Sequence, residues 1–150
     1  MKITLSRLDD AFNLKAINEN DKSVLLDAAP EIGGSKNGMR PMQLLISALG
    51  GCSAIDFISI LKKQRQDLRD IKVTLKAERE KDKKPALFTK IDVHFLLIGN
   101  VDYSKAQKAV ELSMEKYCSV ARVLEKTANI TYSFDISDSN RDCFCSRKNS

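Results

Sequence analysis

The sequence predicts an α+β fold in the order β-β-β-α-β-β-α-β. Three observations carry this expectation. Residues 42–61 are apolar almost without interruption, residues 71–78 and 91–97 alternate apolar and polar with period two, and residues 104–126 hold an apolar stripe at helical spacing. At 150 residues the chain can bury one substantial core and is short for two. A single domain is therefore expected over residues 1–136, followed by a polar tail over 137–150.

Three strand-like segments open the chain: Lys2 to Leu8, Phe12 to Ile17, and Ser23 to Asp27. They are separated by Asp9-Asp10 and by Asn18-Glu19-Asn20-Asp21, whose short polar side chains favour tight turns. A glycine-bearing loop from Pro30 to Gly38 follows, and Pro41 opens the central helix where its missing N–H is harmless. That helix is apolar on every side up to Leu61, the mark of a helix enclosed all round, and ends in Lys62, Lys63 and Arg65, cations suited to a helix C-terminus. One subunit's sheet covers only part of such a helix, so a partner subunit is the simplest second cover. Its length also suits a membrane span. Asp56, two glycines and three serines within it, and the alternating strands after it, make it a soluble core helix instead.

Ile71, Val73, Leu75 and Ala77 line one side of the next strand. Ile91, Val93, Phe95 and Leu97 repeat the pattern after a turn around Lys83-Lys84-Pro85, giving a hairpin with one buried face. Ser104 is a good N-cap for a second helix running to about Lys126, with Ala106, Val110, Met114, Tyr117, Cys118, Ala121 and Leu124 as its apolar stripe. Ile130, Tyr132, Phe134 and Ile136 alternate through a last strand.

The 43% apolar and 30% charged shares are those of a soluble globular protein. The net charge of +5 is spread among acids, as in Glu78-Arg79-Glu80-Lys81-Asp82-Lys83-Lys84, which reads as a solvated turn and argues against a nucleic-acid stripe. Met1 to Arg7 shows no apolar signal region with a cleavage site, so the reading places the chain in a reducing cytoplasm. There, its four cysteines are expected to be free or redox-active rather than structural staples. Gly33-Gly34 and Gly50-Gly51 lack the spacing of a dinucleotide fingerprint, and one histidine with scattered thiols is too few ligands for zinc; no cofactor or metal is expected.

The chemistry concentrates on Cys52. It follows Gly50 and Gly51 inside a helix, where each glycine costs about 1 kcal/mol relative to alanine and needs a compensating gain. Cys118 on the second helix faces the core. His94 alternates out with Lys90 and Asp92 as a solvated strand histidine, and Cys143-Phe144-Cys145 lies in the polar tail.

Three stretches together are similar to the OsmC/Ohr proteins, named for osmotically inducible and organic-hydroperoxide-resistance members: Gly38 to Leu45, Leu49 to Asp56, and Glu115 to Val120. The resemblance covers roughly residues 1 to 136 in element order. It implies an OsmC-like fold, an intertwined homodimer with a buried central helix and sites at the subunit interface, and a cofactor-free thiol peroxidase. Cys52 would be the peroxidatic thiol and Cys118 the resolving one, with hydroperoxide as substrate and a dithiol or thiol-disulfide partner as reductant.

Met42 and Gln43 occupy the helical turn where peroxidases of this family place a carboxylate paired with an arginine. An amide can orient an arginine but cannot form an ion pair with it. Arg7 and Arg40 are the candidate activating cations, Arg40 being favoured because it precedes the helix. Asp56, four residues after Cys52, would disfavour a thiolate there, whereas Arg122, four after Cys118, would favour one. The alternative function is a degenerate dimer that binds a small apolar or electrophilic ligand without turnover.

Overall fold

The computed structural model describes residues 1–138. The tail cysteines Cys143 and Cys145 lie outside the described residues. Two compact units divide the chain, Met1–Ser47 and the remainder from Ala48 onward.

In the first unit, β1 (Ile3–Arg7), β2 (Leu14–Asn18) and β3 (Ser23–Leu26) form an antiparallel meander in the order β1-β2-β3. The Asn18-to-Asp21 turn is held by the Asn18 side chain, which accepts from the N–H groups of Asn20 and Lys22. Asp9 does the same for Ala11 and Asn13 in the first turn. The expected second strand starts later than Phe12, which is 48% exposed and precedes β2. The loop after β3 contains a short 3-10 turn at Pro30–Ile32, and the buried Asp27 carboxylate holds it by accepting from the amides of Ala28, Ser35 and Asn37.

The central helix α1 (Pro41–Lys63) leads into the second unit. There, β4 (Asp67–Arg79) pairs antiparallel with β5 (Phe88–Asn100), which pairs in parallel with β6 (Asn129–Ser137). A parallel neighbour requires a crossover. It is supplied by α2 (Tyr103–Leu112), a π turn (Ser113–Tyr117) and α3 (Ser119–Leu124). Ile91, Val93, Phe95 and Leu97 are sealed on one face of β5, as the alternation requires. Phe57 of α1 meets Phe95 edge-on at 5.2 Å and Phe134 of β6 at 6.5 Å, which docks the helix on the sheet.

Two expectations change in detail. The helix from Pro41 meets the length and composition of a membrane span, yet it is a core helix with one sealed face of Leu49, Gly50, Ser53, Phe57 and Leu61. Only 28% of its most apolar stretch is buried within the chain, so enclosure on every side is met by one subunit along this face alone. Ile55, 68% exposed, and Ile58 stay uncovered.

The second helix is not continuous from Ser104 to Lys126. Its N-cap is Asp102, whose carboxylate accepts from the Lys105 amide at 2.9 Å, and Ser104 donates its hydroxyl to that carboxylate. Beyond Leu112 the π turn adds a residue, and the helix restarts at Ser119. Ala106, Val110, Met114, Cys118, Ala121 and Leu124 of the expected stripe are buried, but Tyr117 is half exposed because the widened turn rotates it out.

Candidate functional site

Cys52 lies mid-way along α1, half-buried, directly after two glycines of opposite character. On the Gly50 side the backbone presses on β4, and a Cβ there would come within 2.7 Å of Leu75 Cδ1. On the Gly51 side a Cβ would meet nothing within 4 Å. The glycine pair thus seats the helix closely on the sheet at one position and leaves its surface uncovered at the next.

Cys118 is fully buried and sits at the junction of the π turn and α3, with φ −68° and ψ 100°. Its N–H donates to the Ser113 carbonyl at 2.8 Å, closing the π turn. Its sulfur caps α3 by accepting from the Ala121 N–H at 3.4 Å. Burial is the largest influence on the Cys118 thiol and pushes its pKa up to about 11. The Ala121 amide works against that rise, while a hydrogen bond and charge interaction with the Cys52 side chain add to it. Both thiols are free, and the structure brings them into contact.

Ser113 and Ser53, both fully buried, hold the two segments together. The Ser113 hydroxyl donates to the Ser53 carbonyl at 2.9 Å, one residue beyond Cys52. The Ser53 hydroxyl turns back on its own helix, to the carbonyls of Leu49 at 2.8 Å and Gly50 at 3.2 Å. Ser113 is not among the residues that the sequence singles out. A serine inside an apolar helical stripe, five residues before a cysteine, was the available signal.

The candidate supporting residues each have local contacts. Gln43 uses its side-chain carbonyl to accept from the backbone N–H of Arg40 at 3.0 Å, a helix-capping role. Arg40 itself is exposed, and the first turn of α1 holds no acidic residue. Arg7 is bound into its own turn, donating to the carbonyls of Ala11 and Asp10. Arg122 donates to the Met114 carbonyl at 3.0 Å, inside the π turn, and pairs with Glu125 at 3.0 Å. Asp56 is half-buried on α1. His94 lies on the outer sheet face against Ser133 at 2.9 Å and Asp135 at 3.4 Å. Among the described residues no three His, Cys, Asp or Glu side chains gather as a metal site would need.

Against known proteins, the sequence profile of OsmC-like protein matches residues 33–133. The chain belongs to the OsmC-like family. It is 50% identical over 97 residues to Protein YhfA of Escherichia coli K12, a match covering 64% of this chain and 72% of that protein. The crystal structure of a hypothetical protein from Aquifex aeolicus VF5 superposes with a TM-score of 0.78 at 31% identity, covering 91% of this chain and 95% of that one. A Legionella pneumophila chain named an organic hydroperoxide resistance protein OsmC shares the fold, with a TM-score of 0.67 at 15% identity over 89% of this chain and 96% of its own.

Proposed function

We propose that this OsmC-like protein is a thiol peroxidase that reduces organic hydroperoxides, and hydrogen peroxide as a smaller substrate of the same site, with Cys52 attacking and Cys118 resolving. One observation carries the reading: two free thiols in contact, one half-buried and the other sealed. The Cys52 thiolate attacks the distal peroxide oxygen and the O–O bond breaks. The departing alkoxide takes a proton to become the alcohol, leaving Cys52 as sulfenic acid. The Cys118 sulfur then attacks the Cys52 sulfur, the S–O bond breaks, and hydroxide leaves with the Cys118 proton as water. A dithiol reductant restores both thiols by exchange. The Legionella protein's name as a hydroperoxide resistance protein supports the same substrate class.

The proposal includes a homodimer in the cytoplasm. Exposed Ile55 and Ile58 on α1 leave an apolar face that a second copy would cover.

A second reading, ligand binding without turnover, is favoured by the first turn of α1, where Gln43 caps the helix and no carboxylate stands to pair with an arginine. The two separate on mass spectrometry after one equivalent of cumene hydroperoxide. Loss of two hydrogens mapped to a Cys52–Cys118 disulfide is the expected result; unchanged thiols overturn the peroxidase.

A further inference from the structure

We infer that Ser113 is a positioning residue that sets the approach of Cys118 to Cys52 for the resolving step. This rests on the peroxidase reading above. Cys52 and Cys118 stand on separate elements, and disulfide condensation needs their sulfurs aligned. Ser113 binds both segments at once. Its hydroxyl donates to the Ser53 carbonyl at 2.9 Å, and its own carbonyl accepts the Cys118 N–H at 2.8 Å. Two consecutive hydrogen bonds therefore connect the peptide beside one thiol to the peptide of the other, through a side chain with no solvent exposure.

The π turn makes this possible. An α-helical turn at Ser113 would place the Cys118 N–H against the Met114 carbonyl; instead that carbonyl is taken by the Arg122 guanidinium at 3.0 Å, and the N–H reaches back one residue further. The extra residue swings Cys118 out of the regular helix into an extended conformation, with its sulfur at the head of α3. Nothing in α2 requires such a turn. The apolar stripe from Ala106 to Met114 continues at ordinary helical spacing, so the irregularity begins where Ser113 engages α1.

In the resolving step the S–S bond forms as the S–O bond of Cys52 sulfenic acid breaks, and water carries off the Cys118 proton. Ser113 touches neither reacting sulfur; it acts through the backbone of Cys118. Loss of its hydroxyl should slow condensation without slowing the earlier attack on peroxide, since that attack involves Cys52 alone. A misplacement on the order of 1 Å in such a step costs up to about a hundredfold in rate.

The test is a single turnover of the full chain with cumene hydroperoxide in the presence of dimedone, which traps sulfenic acid. Peroxide loss and the ratio of dimedone adduct on Cys52 to Cys52–Cys118 disulfide are both measured. Ser113→Ala should consume peroxide at the wild-type rate but shift the ratio toward adduct by about tenfold or more. Ser113→Thr, which keeps the hydroxyl, should restore the ratio and serves as the measurement that a folding defect in the alanine variant cannot obscure. Equal ratios in wild type and Ser113→Ala, or a threonine variant that partitions like alanine while folded, overturn the inference and leave the peroxidase standing. A wild-type protein that yields no disulfide at all overturns both.

Discussion

Gly50 stands so close to Leu75 that a Cβ on the glycine would lie 2.7 Å from the leucine's Cδ1, whereas the same atom on Gly51 would meet nothing within 4 Å. Replacing either glycine by alanine gains about 1 kcal/mol of helix propensity. At Gly50 the added methyl must displace Leu75, and overpacking a tight core costs about 1–3 kcal/mol. The Leu75 methyl is the end of a flexible side chain, which puts the cost toward the lower part of that range. Gly50→Ala should therefore fall between neutral and about 1 kcal/mol less stable, and melt up to about 3 °C lower. Gly51→Ala should melt at or above the wild-type temperature. A matching drop at Gly51 would show that something outside the subunit abuts it.

The two thiols should differ sharply toward an alkylating reagent. Cys52 is half-buried, while Cys118 is sealed and its thiol is pushed up to about 11. At pH 8 a thiol with that value is ionised in only about one molecule in a thousand, and the thiolate is the reactive form. Iodoacetamide followed by peptide mapping should find Cys52 modified in the native protein and Cys118 modified only after unfolding. Parallel labelling of both would contradict the buried position of Cys118.

Much of this arrangement was legible beforehand, for identifiable reasons. The alternation of Ile91, Val93, Phe95 and Leu97 reported a half-buried strand because a pleated chain reverses its side chains at each residue. The Gly50-Gly51-Cys52 run flagged a close approach, found against Leu75. The break at Cys118 was not legible. It depends on the Ser113 hydroxyl meeting the Ser53 carbonyl sixty positions away in sequence, and on Arg122 covering the Met114 carbonyl. Local spacing carries neither contact, so a regular helix projected Tyr117 inward, and one added residue of roughly 100° turned it out. Asp102 displaced Ser104 as N-cap because both are good caps and the earlier one reaches the Lys105 amide. An amide at Gln43 can orient an arginine, and the contact the structure gives it is with the Arg40 backbone N–H.

Alkaline conditions should destabilise the fold over a defined window. Cys118 rises from 9.0 to about 11, and Tyr132 from 10.0 to about 12, both chiefly through burial, with the Glu115 carboxylate that accepts the Tyr132 hydroxyl at 2.6 Å adding to the second. As pH climbs past 9 the unfolded chain releases these protons first, while the folded chain keeps them. The unfolded state then binds fewer protons, so stability falls with pH. Their contribution is fully present below about pH 9 and is lost progressively up to about pH 12. Urea midpoints measured from pH 8 to 12 should decline, and Tyr132→Phe should flatten the upper part of the decline. A midpoint that holds steady across this range would contradict both assignments.

The proposed division of labour between the thiols predicts different failures for two serine substitutions. Cys52 is the half-buried thiol, so Cys52→Ser should abolish hydroperoxide consumption, since the sealed Cys118 cannot meet the substrate in its place. Cys118→Ser should retain a single attack, after which Cys52 stalls as sulfenic acid for want of a partner sulfur and advances to sulfinic acid as peroxide is added. Peroxide consumed per protein, followed by intact mass, separates the cases. None is expected for the first variant; the second should take about one equivalent with one added oxygen at first, and a second of each as the sulfenic acid advances to sulfinic acid. Equal residual turnover in the two would remove the distinction between attacking and resolving thiols, because an exposed and a buried sulfur could then exchange roles.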